Sequence, residues 1–558
     1  VSAGKITERE IFSRRLVVAV AWNICLQVLF AIALVFIIQI DLLHPISWFT
    51  STLKEIFGLK ITLNIILLVL VSVSQAFVYG RYHFLPSPKY FTRFSMFLNM
   101  FTVQNILFTL LYSLTGYFTI CLYSSLAKLD YYNLKKSCQK YDGQCLLEDS
   151  LFLQFGGMWM GLYYFLTQHV IGSQMLLFPH VYQNKHHYIK QVLIDLIKNG
   201  FQVAFKPLIY YSLFYIFFGN SSRTLVSSVY SLYLEDPPLD NIFNLLTSNI
   251  WLSLWFYSGL FFISVNIMKT IFNTVLTQPM KFPIESESSL TLHEALGQKG
   301  HFNGILGAQD LRILSITDSS RRVQLFTLSQ PGGHPKNWNN VLQQCLTTIK
   351  GFTKELESIT ADPRIEKSPP NNNVVENKPT FSNMRNLAAS PIEYEMLGRP
   401  HNKPDILEVL FIELKQMLHK LCQKPGISYL FGELVETKLK ILLMQAQPVM
   451  WTCEGLAFLT AASLNEDKYG TVQYDLPEII STLINLKQNL DKITKPSLCP
   501  RKPLLNNTIE FKMRSALMSS VKRSIYKITI TFSKYIYDIP LEPEVCTAIQ
   551  PFICLKEA

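Results

Sequence analysis

The sequence predicts an all-α protein in two halves: six transmembrane helices first, then a water-soluble α-helical region. Two observations predict this class. Six long apolar stretches crowd into the first 270 residues, and residues 270–558 hold no further one. The second half is mostly polar, with apolar residues recurring at helical spacing. A hydrocarbon core about 30 Å thick takes roughly 20 apolar residues as a helix, because only helices and closed barrels satisfy the backbone in lipid.

The predicted spans are Leu16–Ile40, Ile61–Phe77, Phe97–Leu122, Phe152–Ile171, Phe201–Phe218 and Leu246–Met268, with Lys206 interrupting the fifth. The first run is about 25 residues, too long for a signal-peptide h-region, so no cleavable signal is expected. Arg14 and Arg15 precede it directly and place the N-terminus in the cytosol. An even number of spans then returns the C-terminal half to the same side. The segments assigned to the cytosol (1–15, 78–96 and 172–200) carry ten Lys and Arg, against seven in 41–60, 123–151 and 219–245. Lys128, Lys135, Lys136 and Lys140 in the second lumenal loop run against that bias. The net charge of +11 fits this topology and attraction to anionic headgroups. No basic groove interleaved with aromatics appears, so no direct nucleic-acid partner is expected.

Cys138 and Cys145 lie in that polar loop, in an oxidising lumen, where they either form a local disulfide or remain two free thiols. Cys345, Cys422, Cys453, Cys499, Cys546 and Cys554 have no C-x-x-C spacing and are expected as buried thiols. Asn220-Ser-Ser is a glycosylation sequon in the next lumenal loop, too near the bilayer for use. Between the fourth and fifth spans, Ile189, Val192, Leu193, Leu196 and Ile197 predict a short helix near 187–199 that lies in the membrane interface, with Gly200 as its stop. His186 and His187 precede it without a third ligand, so no metal site is expected.

Residues 280–354 form an amphipathic helical segment. Leu311, Ile313, Leu314 and Ile316 mark one helix, and Val341, Leu342, Cys345, Leu346 and Ile349 another. Between them, Leu328–Trp338 packs two prolines and two glycines into a non-helical turn, with Asn337 or Asn339 available to cap the next helix. Residues 355–403 are rich in Pro, Asn and Ser and predict a flexible linker with proline-directed phosphorylation sequences at Ser368 and Ser390. Residues 404–558 predict a C-terminal helical domain. Its helices are Asp405–Cys422, a buried Glu454–Leu464, one opened by Leu476-Pro477, and a basic amphipathic helix over about Thr508–Tyr537 that packs its apolar face into a bundle.

Nothing in this inventory is catalytic. G-x-x-x-x-G-K-[ST], G-x-S-x-G and H-E-x-x-H are missing, and none of the eleven histidines has an acid five residues on, the spacing of many membrane acyltransferases. Of ionisable groups inside spans only Lys206 qualifies, whereas a transporter keeps such groups along its pathway. Asn23 and Gln27, one turn apart, are expected to join helices by hydrogen bonds. No cofactor is implied. A structural anchor is therefore expected, with a multispanning lipid-modifying enzyme of the endoplasmic reticulum as the alternative.

Specific strings narrow this. Asp41-Leu-Leu-His-Pro-Ile-Ser-Trp48 follows the first span, and Ala308-Gln-Asp-Leu311, Ser320-Arg-Arg322 and Phe326-Thr-Leu-Ser-Gln-Pro-Gly-Gly-His-Pro-Lys-Asn-Trp338 come in the soluble half. Trp451-x-x-Glu-Gly-Leu456, Ala461–Gly470 and Leu476-Pro477 complete the order. Taken together they resemble the transmembrane nucleoporin family known as nuclear division cycle protein one, over nearly the whole chain. The resemblance implies a non-enzymatic protein of the nuclear envelope that holds the pore scaffold to the pore membrane and helps new pores assemble. It also implies as partners an inner-ring nucleoporin with an RRM-like domain, the WD-repeat nucleoporin ALADIN, other membrane-ring nucleoporins and membrane lipids. Within the string, Ser329, Gln330, Pro331, Gly332, Gly333, His334, Pro335 and Trp338 make either a docking turn for a partner or plain fold architecture.

Overall fold

The computed structural model describes residues 8–41, 43–84, 92–127, 133–138, 143–171, 176, 178–179, 185–235, 239, 249–286, 289–298, 302–328, 333–360, 435–493 and 509–554. The membrane half holds α1 (Glu8–Ile38), α2 (Pro45–Ile56), α3 (Leu59–Phe84), α4 (Arg93–Met100), α5 (Val103–Leu126), α6 (Glu148–Phe165), α7 (Lys185–Tyr230) and α8 (Ile250–Leu276). Among the described residues, α1, α3, α5, α7 and α8 are long and apolar enough to cross a membrane. Two-thirds of the α8 window (67%) is buried inside the protein, against 28–39% in the other four, so α8 is the axis around which the bundle assembles.

Polar side chains pin the spans together where a donor without a partner would be costly in lipid. Asn23 donates to Ser72 Oγ at 2.7 Å, tying α1 to α3, and Gln27 donates to the Ser264 carbonyl at 3.0 Å, tying α1 to α8. Gln75 donates to Thr115 Oγ1 at 3.1 Å between α3 and α5. Asn23 and Gln27 thus join helices, as their spacing predicts.

Several boundaries differ from the sequence reading. The third span does not start at Phe97: α4 ends at Met100 and α5 begins at Val103. Asn105 Nδ2 bonds the Asn99 carbonyl at 2.6 Å and holds that break. The stretch expected as the fourth span folds as α6 prolonged by a π-helical turn, Leu166–Ile171, and α6 is not among the helices long and apolar enough to cross. Gly200 stops nothing. The predicted interfacial helix and the fifth span are one helix, α7, of 46 residues. Its missing side chain serves packing instead, since a Cβ there would lie 2.4 Å from Ile263 of α8. Asn220, assigned to a loop, also lies within α7.

The all-α expectation holds for the bulk of the fold but fails between α5 and α6. There β1 (Lys135–Ser137) and β2 (Gln144–Leu146) pair antiparallel, Lys136 opposite Cys145.

The C-terminal half comprises α9 (Leu292–Gly297), α10 (Phe302–Thr317), α11 (Ser319–Phe326), α12 (Lys336–Thr360), α13 (Val435–Met444), α14 (Gln447–Glu466), α15 (Leu476–Lys492), α16 (Ile509–Thr531) and α17 (Pro543–Ile553). Helix α14 is central. Met450, Trp451, Cys453, Leu456, Ala457 and Leu459 are all buried on it, with α10, α12 and α16 packed around. The basic helix α16 buries Leu517, Val521, Ile525 and Ile528 against this core. A chain reversal after α14 uses Gly470 at φ +64°, a left-handed conformation that a side chain would strain.

Helix α12 runs to Thr360 with Leu356 fully buried, so the linker does not begin at Glu355. Asn337 and Asn339 lie inside α12 rather than capping it, and Asn337 donates to Glu285 Oε1 at 2.6 Å. The remainder of the linker, its Ser-Pro sites and the Asp405–Cys422 helix lie outside the described residues. So do Cys422 and Cys499. Cys345 and Cys453 are buried, with the Cys345 thiol pushed up to about 12 by burial, but Cys546 and Cys554 are exposed because they lie on the outer face of α17 and at its end.

Candidate functional site

The strings that carry the family resemblance meet in three dimensions. Arg321 donates two hydrogen bonds to Asp310, from Nη1 at 3.0 Å and Nη2 at 2.8 Å, and reaches the Phe282 carbonyl as well. Arg322 forks onto Glu466 at 2.9 and 2.7 Å, closing α11 against the end of α14. Those Arg322 hydrogen bonds hold the Glu466 carboxyl below its ordinary range, against the opposing pull of burial. Arg312 pairs with Glu454 at 2.6 Å. Beside it a Cβ on Gly455 would lie 2.9 Å from Leu311, so α10 and α14 touch closely. The Ser-Arg-Arg, Gln-Asp-Leu and Glu-Gly strings are therefore the two sides of one set of staples.

The Leu328–Trp338 turn belongs to the same body. Trp338 has no exposed surface, packs on Phe326 with ring centroids 5.8 Å apart, and donates from Nε1 to Asp475 Oδ2 at 2.8 Å. His334 is exposed, Gly333 and Pro335 are partly covered, and Ser329, Gln330, Pro331 and Gly332 lie outside the described residues. A wholly buried Trp338 cannot touch a partner; it moors the turn. Trp338→Phe is expected to cost about 1.5–3 kcal/mol, because a carboxylate loses its donor. Trp338→Ala is expected to cost about 3–5 kcal/mol. Denaturant midpoints of the full chain check both, and a Phe variant as stable as the parent would show that the indole N–H contributes nothing.

A second constellation joins the two halves. Arg15 Nη1 bonds the carbonyls of Leu276 and Gln278, both at 2.7 Å, at the C-terminal end of α8. That cation neutralises the negative pole of the helix and satisfies carbonyls with no partner inside it. The same guanidinium lies over the Phe302 ring at 5.6 Å, and Phe12 meets that ring edge-on at 5.5 Å. Phe302 opens α10, so the start of α1, the end of α8 and the soluble bundle converge at one place. Alongside, Gln447 donates to the Phe178 carbonyl at 2.7 Å, and Phe178 meets the Trp451 ring edge-on at 5.7 Å. Sequence reading used Arg15 only as a topology charge. Its partners are more than 260 positions away, and no local signal marks them.

At the opposite end of the spans, a Cys138–Cys145 disulfide closes the hairpin, with Cα atoms 5.1 Å apart. Tyr233, just beyond α7, joins the hairpin by exchanging backbone bonds with Leu146 and Gln144, each 3.0 Å. Beneath it Glu148 accepts from Tyr215 at 2.7 Å and pairs with Arg223 at 3.2 Å, both charges nearly buried. Sequence reading passed over this pair, because neither residue falls inside a predicted span. Lys206, the lysine that does, is exposed on α7.

Residues 10–550 match the family model described as Nucleoporin protein Ndc1-Nup. The chain belongs to this family. Nucleoporin NDC1 of Xenopus laevis is 25% identical, over 99% of this chain and 99% of the frog protein. Nucleoporin Ndc1 of Drosophila melanogaster is 27% identical over 96% of each chain, and human nucleoporin NDC1 is 23% identical over 97% of each. With its apolar helices, this member of the Ndc1 family is a membrane nucleoporin of the nuclear pore. The alternative of a lipid-modifying enzyme gains no support from these relatives.

Proposed function

We propose that the chain is a non-enzymatic, multi-pass anchor that tethers scaffold nucleoporins to the pore membrane and supports pore assembly. The observation that carries the reading is the Arg15 joint. It clamps a rigid helical bundle to the membrane domain at the end where α1 begins and α8 finishes. A tether that transmits load needs such a joint, and an enzyme or transporter does not.

Six crossings agree with that geometry. The 18 residues of α6 and the 6 of its π-turn make a rod of roughly 35 Å, enough for a bilayer core of about 30 Å. Both termini then face the cytosolic and pore side, and the disulfide hairpin faces the lumen, the compartment in which disulfides persist. The resemblance supplies the partner classes: the RRM-like inner-ring nucleoporin, ALADIN and other membrane-ring nucleoporins, docking on the soluble bundle. The exposed part of the Gly333–Pro335 turn is one place on it for them.

Imaging of a tagged full chain tests the reading. Punctate nuclear-rim signal coincident with pores is expected; uniform reticular signal with none at pores would sink it. Arg15→Ala is expected to preserve membrane insertion while loosening the joint by about 1–2 kcal/mol. Proteolysis in the 277–291 connection should then quicken about tenfold, with a matching fall in co-purified scaffold. Unchanged cleavage would remove the clamp from the argument.

A further inference from the structure

A cavity of about 230 Å³ opens between α5, α6 and α7. Its wall is aromatic: Trp159 stacks on Phe214 at 5.2 Å, and Phe214 on Phe218 at 4.8 Å, a row of rigid rings. Its polar lining consists of the hydroxyls of Ser113, Tyr211, Tyr215 and Ser222, with no Lys, Arg, Asp or Glu. Each hydroxyl has its proton committed within the protein. Ser113 donates to the Met158 carbonyl at 3.1 Å, Tyr211 to that of Phe152 at 2.8 Å, Tyr215 to Glu148 at 2.7 Å and Ser222 to the Phe218 carbonyl at 3.1 Å. The Trp159 N–H is likewise spent on the Pro207 carbonyl at 3.1 Å. What the cavity offers a ligand is therefore acceptor lone pairs and a rigid aromatic surface.

Those properties select among membrane components. A phospholipid presents ester oxygens, which only accept, and a charged headgroup, which finds no counter-ion here. A flexible acyl chain gains little from a row of rigid rings. A sterol carries a rigid planar body and one hydroxyl that can donate. We infer that this inlet binds a membrane sterol, its hydroxyl on Ser222 and its rings against Trp159 and Phe214. Ser222 is partly exposed, unlike the two tyrosines, and stands nearer the α7 end that carries the hairpin. The volume is below the roughly 300–1,000 Å³ that enclose a drug-sized ligand, so one ring face inserts and the other stays in lipid. The inference rests on the reading of α5, α6 and α7 as membrane-spanning.

The test uses the full chain in phosphatidylcholine vesicles, with a photoreactive sterol and, separately, a photoreactive phosphatidylcholine. The sterol is expected to label peptides of α6 and α7 around Trp159 and Ser222, and unlabelled sterol to suppress that labelling. Ser222→Ala should weaken it about fivefold, the worth of one hydrogen bond near 1 kcal/mol. Leu162→Trp, which fills the cavity, should abolish it. Sterol labelling spread evenly over all spans, or cavity labelling by the phospholipid that sterol does not displace, overturns the proposal. Phospholipid labelling at exposed Leu213 and Phe217 without sterol at the cavity overturns the sterol alone. No labelling by either probe overturns the membrane placement of these helices together with it.

Discussion

Arg321→Ala is expected to destabilise the soluble half by about 3–5 kcal/mol, the usual result of removing one partner from a buried ion pair. Asp310 has a side chain only 1% exposed, and Arg321 is 15% exposed, so water cannot replace the lost guanidinium. The carboxylate would keep a single donor, the Phe282 N–H at 2.9 Å. The Phe282 carbonyl would lose its Arg321 donor in the same step, which frees the strand that leads from α8 into the bundle. Domains are held by about 5–15 kcal/mol, so the variant should sit near the edge of folding. Cys345 and Cys453 give the readout. Both are buried, with thiols driven upward by desolvation, and they stay unreactive until the bundle opens. Labelling of these two in the full chain should accelerate by two orders of magnitude or more, over the immediate background from exposed Cys546 and Cys554. Arg321→Lys should recover part of the loss, since one ammonium cannot make the forked contact. A change under 1 kcal/mol would mean that water takes the place of the guanidinium, and the staple reading would fall.

Much of the architecture is legible in the residues because membrane insertion and helix periodicity are signals of composition. The runs in α1, α3 and α8 are unbroken, and their location follows from hydropathy alone. The apolar stripe Val341, Leu342, Cys345, Leu346, Ile349 announces α12, and each of those residues is buried. What hydropathy cannot see is geometry between helices. Gly200 reads as a helix stop until Ile263 is known to lie against it. The strands at 135–137 and 144–146 are three residues each, too short for any alternation to stand out. Arg15, Phe302, Phe178 and Gln447 form the joint through pairings of very long sequence separation. By contrast, Ser320-Arg-Arg322 and Trp451-x-x-Glu-Gly were legible as family strings without their physical reason, which is that Arg321 holds Asp310, Arg322 holds Glu466 and Glu454 holds Arg312.

One missed feature had a local signature, Gly157-x-x-x-Gly161 on α6, and it supports the second large effect. Gly161→Val is expected to cost the membrane half about 3 kcal/mol or more, at the upper end of overpacking. A Cβ on Gly161 would stand 2.0 Å from the Tyr112 carbonyl oxygen, and one on Gly116 of α5 only 2.2 Å from that of Gly157. The obstructing atoms are backbone, so no rotamer change relieves the clash and the helices must separate. Separation would also break the Ser113 bond to the Met158 carbonyl and the stacking of Tyr112 on Tyr164, whose centroids are 5.7 Å apart. Small residues that let two backbones meet are a main source of helix association in lipid, where burial of apolar surface drives nothing. Helix α6 depends on this more than its neighbours. It opens with Glu148 and Asp149 and falls outside the helices apolar enough to cross unaided, so protein contact has to compensate for its polarity. Gly161→Val should therefore push α6 out of the bundle first, seen as protease access to the hairpin's flank while α1 and α8 stay protected. Gly297→Ala serves as the control, because its Cβ meets only the mobile end of Gln344 at 3.3 Å, and a shift within about 0.5 kcal/mol is expected. Equal stability of the two variants would show that α5 and α6 do not touch.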